Sequence, residues 1–200
     1  MNDLIKRHRD FVTSLENNEK ILLVNEQFSV TEQSSTSLIS KLGFPQVVVD
    51  FYAQISQCKL IWNHNSKIDI EFLDQEIDFV DGEFNLSSER DFINGIDRMY
   101  LEDEYYVNLD LYSDDLHPFE SIKDEYITCL VKGSNQLVYI DLGESEVYDL
   151  SVDLETYLDI GYQCYFFYGW QKAVFLRSKL DSDRLVHYLS QLIPGYKLNI

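Results

Sequence analysis

The sequence holds no apolar run long enough to cross a bilayer, no CxxC pair and few bases. Its most apolar window, YQCYFFYGWQKAVFL (162–176), is short and carries Gln and Lys. The opening MNDLIKRHRDFV lacks an apolar core of signal-peptide length, because Lys, Arg and His interrupt its apolar residues. Three cysteines, Cys58, Cys129 and Cys164, are odd in number and widely spaced. That pattern favours reduced thiols in the cytoplasm over a disulfide framework. These absences predict a soluble, cytoplasmic protein with no membrane contact.

Motifs for chemistry are missing as well. There is no GxSxG, HExxH, P-loop or GxGxxG. None of the four histidines, His8, His64, His117 and His187, lies at metal-ligand spacing from a second His or Cys. His64, beside Trp62 at a strand end, reads as a solvent-facing or hydrogen-bonded residue, and His187 as a helix-surface one. Cys164, flanked by aromatics, reads as an inert core thiol.

What is abundant is acid. The 200 residues carry 35 Asp and Glu against 16 Lys and Arg, a formal net charge of -19. From Asp69 to Glu125 there are 19 acids and three bases (Arg90, Arg98 and Lys123), so this segment alone carries -16. A field of that sign opposes contact with phosphate backbones and speeds the encounter with a basic partner. Solubility is the simpler explanation of the total; the concentration in the middle third is what asks for more. Tyrosines fall among the acids, at Tyr100, Tyr105, Tyr106 and Tyr112, and Tyr supplies rigid contact area that tolerates water. The expected protein-binding face is therefore Asp103, Glu104, Tyr106, Asp110, Tyr112, Asp114, Asp115 and Glu120.

The same acids invite a metal test. NLDLYSDDLHPFE (108–120) offers Asp110, Asp114, Asp115 and Glu120, and DFVDGEF (78–84) offers Asp78, Asp81 and Glu83. Neither has the alternating ligands, central Gly and twelfth-position Glu of a calcium loop. With so many carboxylates some pair always lies close, so acid–base hydrolysis has no specific support. No metal or cofactor is expected.

Aromatics and aliphatics, 45% of the chain as hydrophobics, are sufficient for one packed core. Leu4, Ile5, His8, Phe11, Val12 and Leu15 share a face of a helix over 3–17. ILLVNEQF (21–28) fits either a strand or an extension of that helix. A second helix is expected with Leu38, Ile39 and Leu42 inward, ended by Gly43, and a third over 45–56 opened by Pro45 and burying Val48, Phe51, Tyr52 and Ile55. Strands are expected at CKLIWNH, at Ile68–Leu73 and at YVNLDL (106–111), with SSERDFINGI between the last two as a short helix capped by Ser87 or Ser88. YITCLVKGSNQLVYIDL reads as a hairpin and EVYDL (146–150) as the next strand. Ser151 is the expected cap of a following helix, 162–176 a deeply packed helix, and Ser182–Leu192 the last one, stopped by Pro194-Gly195. Helices, then strands, then helices predict an α+β fold, mostly antiparallel, in a single domain over 1–200.

Several of these pieces together resemble a known family. LGFPQVVVDFYAQISQCKLIW, with Pro45, Phe51, Tyr52 and Trp62 in order, looks like the helix-turn-strand segment of the SUKH superfamily, related to the fungal Smi/Knr cell-wall synthesis regulators. DEYITCLVKGSNQLVYIDLGESEVYDL resembles its late hairpin and strand, SVDLETYLDIGY the helix after it, and GWQKAVF its aromatic closing segment. The resemblance covers roughly residues 30 to 176 and rests on short elements. Ser56-Gln57 stands where the family usually has Asn-Gly, and 74–105 falls outside the pattern. The resemblance implies a curved antiparallel sheet with helices packed on one side. It also implies a non-enzymatic binding protein: bacterial members are mainly immunity proteins that neutralise polymorphic toxins, often nucleases. The family has no catalytic residues or site positions to carry over. The alternatives are a regulatory scaffold binding signalling or cell-wall-synthesis proteins, as in the fungal relatives, and, third, a carboxylate-dependent hydrolase.

Overall fold

Apolar–polar alternation and helical periodicity divide the chain between two kinds of element, and the outcome is an α+β fold with two antiparallel sheets. The computed structural model describes residues 2–30, 37–73, 80–96, 116–122 and 125–198. The elements run α1 (Asn2–Glu16), β1 (Ile21–Val30), α2 (Ser37–Lys41), α3 (Gln46–Gln54), β2 (Ile55–His64), β3 (Asp81–Asn85), α4 (Glu89–Asn94), β4 (Leu116–Ile122), β5 (Tyr126–Val131), β6 (Leu137–Asp141), β7 (Glu146–Asp149), α5 (Leu154–Gln163), α6 (Trp170–Val174) and α7 (Lys179–Leu192). One sheet has the order β1-β2-β3 and the other β4-β5-β6-β7. The chain divides into two compact units, Met1–Glu26 with Leu60–Glu83 and Leu158–Ile200, and Gln27–Lys59 with Phe84–Tyr157.

In the first unit α1 turns His8 and Leu15 inward, on the face that its periodicity predicts. Phe11 packs against Tyr162, Tyr165 and Phe166. ILLVNEQF is a strand, the first part of β1. The expected deep helix over 162–176 is instead broken. α5 stops at Gln163, Tyr165 and Phe166 adopt left-handed backbone (φ 55° and 48°), and α6 starts only after Gly169. Tertiary hydrogen bonds hold this turn: the Trp62 indole donates to Tyr165 O (2.7 Å), Glu83 N to Phe166 O (2.9 Å) and Tyr168 N to Asp81 O (3.1 Å). Gly82 and Gly161 make room for it, since a Cβ on either would overlap Trp62 or Phe166.

Ile68–Leu73, expected as a strand, is irregular. Side chains of α7 take the place of a neighbouring strand there. Glu71 N donates to Gln191 Oε1 (2.7 Å) while Gln191 Nε2 and His187 Nε2 reach Glu71 O (3.0 and 2.7 Å). Leu73 N donates to Tyr188 Oη (3.1 Å). α7 itself starts at Lys179, capped by Ser178, three residues earlier than expected.

In the second unit Gly43 (φ 82°) follows α2 and Pro45 occupies the N-cap of α3. Ile39 is buried, whereas Leu38, also expected inward, is 46% exposed. Val48, Phe51, Tyr52 and Ile55 are all buried, although Ile55 already belongs to β2. The hairpin β5–β6 pairs Tyr126 with Asp141 and Leu130 with Leu137, and β7 adds on by pairing Val138 with Asp149. Every residue of β6 is buried, so both faces of the sheet are covered at this strand. Leu116, Cys129, Val138, Ile140 and Val147 form one core cluster. Asp153 accepts the Thr156 amide (2.8 Å), the capping contact that the sequence suggested for Ser151.

Candidate protein-binding site

The stretch richest in acid lies between α4 and β4 in the chain. Ser88 caps α4 by accepting from Asp91 N (3.1 Å), with Glu89 and Asp91 in the first turn, where negative charge suits the helix dipole. Phe92 is buried against Tyr52 (4.5 Å between ring centroids), Phe44 (5.0 Å) and His117 (5.4 Å). This packing seats α4 on α3 and β4. Beyond α4, Ile96 N donates to Leu116 O at 3.1 Å, and His117 Nδ1 lies 2.6 Å from Phe92 O. A carbonyl only accepts, so Nδ1 carries the proton. Ile96 and Leu116, which flank 97–115, are thus bonded to each other and packed in or against the core cluster. Those nineteen residues hold seven acids and one base.

Asp103, Glu104, Tyr106, Asp110, Tyr112, Asp114 and Asp115 lie outside the described residues, as does the expected strand over 106–111. Glu120 is described and is not on a surface: it is 0% exposed. The register of β4 against β5 shifts between Pro118 and Glu120, so Phe119 and Glu120, adjacent in sequence, are both buried. Tyr157 donates to one Glu120 oxygen and Tyr126 to the other (3.3 Å), and Thr128 Oγ1 sits 3.0 Å from Tyr157 Oη. A carboxylate out of water needs such donors. Glu120 therefore supports the interior of the unit and leaves both the binding face and the acid pairs of 108–120. The only hint in the sequence is Pro118, since proline inside a strand marks an edge or a bulge.

An open cavity of about 370 Å³ lies where α4 meets β4. Asn85, Ser87, Ser88, Asp91 and Ser121 supply its polar lining, and Leu86, Ile96, Pro118 and Ile127 its apolar lining. Asn85 Nδ2 is held by Ser121 O (3.0 Å) and the Asp91 carboxylate by Ser88 Oγ (2.6 Å). Sequence reading missed this cavity, because its walls come from three separated stretches of small and apolar residues.

The remaining titratable groups have structural settings. His64 is buried, its Nδ1 accepting Val80 N (3.1 Å) and its own amide donating to Val80 O (2.7 Å). His187 meets Glu71 O and is half-buried, not a plain surface residue. All three cysteines are free and buried; burial pushes the Cys164 thiol up to about 12 and raises that of Cys129 further. Among the described residues no group of three His, Cys, Asp or Glu side chains is placed to hold a metal ion, and no helix is long and apolar enough to cross a membrane. No protein-family model, curated protein or solved structure matches the chain.

Proposed function

We propose that this chain is a non-enzymatic, cytoplasmic binding protein that neutralises a basic toxin domain, of the nuclease kind, through its acidic middle third. The observation that carries the reading is the concentration of charge: -16 of the total -19 lies between Asp69 and Glu125. A nuclease site is basic because it grips phosphates, and an acidic protein complements it. Seven of the acids of 69–125, and the four tyrosines among them, lie in sequence between Ile96 and Leu116, which are bonded to each other. The resemblance to SUKH immunity proteins points the same way.

The test is co-expression with candidate toxin domains encoded beside its gene. One of them should arrest growth alone, be neutralised in the presence of this chain and co-purify with it. The isolated complex should weaken steeply as salt rises from about 0.05 M to about 0.5 M, where exposed charges are screened. A complex indifferent to salt, or no rescue by any candidate, sinks the proposal. Several partners of similar strength in a pull-down would favour the regulatory scaffold.

A further inference from the structure

Asn94 and Gly95 are the one Asn-Gly pair in the sequence, and they stand where α4 ends. The fold fixes the glycine. Gly95 has φ 76°, which L side chains rarely adopt, and a Cβ there would sit 3.2 Å from Leu116 O. Asn94 is exposed, and its side chain has no hydrogen-bond partner among the described residues. Other asparagines are held. Asn18 donates to Leu192 O (3.0 Å), Asn65 to Glu19 O (2.9 Å) and Asn85 to Ser121 O (3.0 Å), while Asn135 accepts Leu154 N (3.2 Å). The backbone nitrogen that follows Asn94 is loosely engaged as well. Gly95 N donates to Phe92 O at 3.3 Å, longer than a normal amide bond, at the end of a six-residue helix too short to resist fraying.

We propose that Asn94 is a site of spontaneous deamidation, and that its main product loosens the bond between Ile96 and Leu116. Gly95 N gives up its proton to solvent and bonds to Asn94 Cγ; the Cγ–Nδ2 bond breaks and ammonia leaves. Water then opens the cyclic imide. Attack at Cγ gives aspartate. Attack at the Asn94 backbone carbonyl gives isoaspartate, in which the chain runs through the side chain and is one carbon longer. Ring closure needs a side chain free to turn beside an unhindered amide, and this pair supplies both. The extra carbon falls just before Gly95 and Ile96. The Ile96 amide donates to Leu116 O (3.1 Å), and its side chain packs against the core cluster.

The experiment incubates the full-length protein in mildly alkaline buffer at body temperature and maps its tryptic peptides over time, with isoaspartate identified by enzymatic methylation. Asn94 should convert at least about tenfold faster than Asn65, with isoaspartate exceeding aspartate. In the aged protein hydrogen exchange at the Ile96 amide should quicken about tenfold, the worth of one backbone bond. Asn94→Asp adds the charge without lengthening the chain, so its Ile96 exchange should change far less. Asn94→Gln should keep both its mass and its Ile96 protection through the same incubation. Conversion of Asn94 no faster than that of Asn65 in the folded protein overturns the site, whatever the rate in urea. Ile96 protection that survives in the isoaspartyl form overturns the consequence.

Discussion

His8 shows how a residue's surroundings reverse its usual habit. It is 2% exposed, with Nδ1 3.1 Å from Tyr162 Oη, and burial pulls its pKa from 6.5 down to about 4. Between those values the unfolded chain binds a proton that the folded chain refuses. The stability involved is complete above pH 6.5 and falls as the pH drops toward 4. Glu26, with Oε1 3.8 Å from Nε2, favours the charged form and limits the loss. Urea unfolding at pH 7 and pH 5 should show wild type losing up to about 2 kcal/mol more than His8→Phe over that interval. Parallel losses in the two proteins would show that His8 does not titrate as described. Periodicity alone put His8 on the buried face of α1, and the aromatic neighbours of Cys164 announced its inert thiol. Glu120 was illegible for the opposite reason: Pro118 hints at the register shift, but nothing near it signals that Tyr126 and Tyr157 turn an acid inward.

At the scale of elements, what was legible depended on where an element finds its partners. The β5–β6 hairpin is local, with its turn residues between two β-rich arms, and it forms as read. Ile68–Leu73 alternates equally well, yet its backbone partner is the Gln191 side chain, 120 positions away from Glu71 in sequence. The 162–176 run is apolar on most sides, which a broken chain wrapped in core satisfies as well as a helix does. Its break depends on Trp62 and Gly82, which no local pattern connects to it. Gly82→Ala places a methyl against the Trp62 indole, whose nitrogen is already committed to Tyr165 O. Overpacking of this kind costs about 1–3 kcal/mol. Gly143→Ala, where the new carbon sits 3.5 Å from Asp141 Oδ1, should stay within about 0.5 kcal/mol. Chemical denaturation of both variants checks the contrast; equal, small effects would mean that Trp62 yields without cost.

For the whole molecule, charge and architecture are separate designs. The α+β class followed from patterning, and the acidic bias of 69–125 from composition, but neither shows how the residues that flank the most charged stretch are joined. The bond from Ile96 N to Leu116 O answers that. It joins the two residues that flank 97–115, and the entropy of closing a stretch of chain changes by about 0.6 kcal/mol per doubling of its length. Replacing those nineteen residues with about five of Gly and Ser should alter unfolding free energy by about 1 kcal/mol and abolish capture of the proposed basic partner. A variant that fails to fold would show that the frame needs what it carries. Otherwise Ile96 and Leu116 mark a splice point, where one scaffold accepts new contents without relearning how to fold.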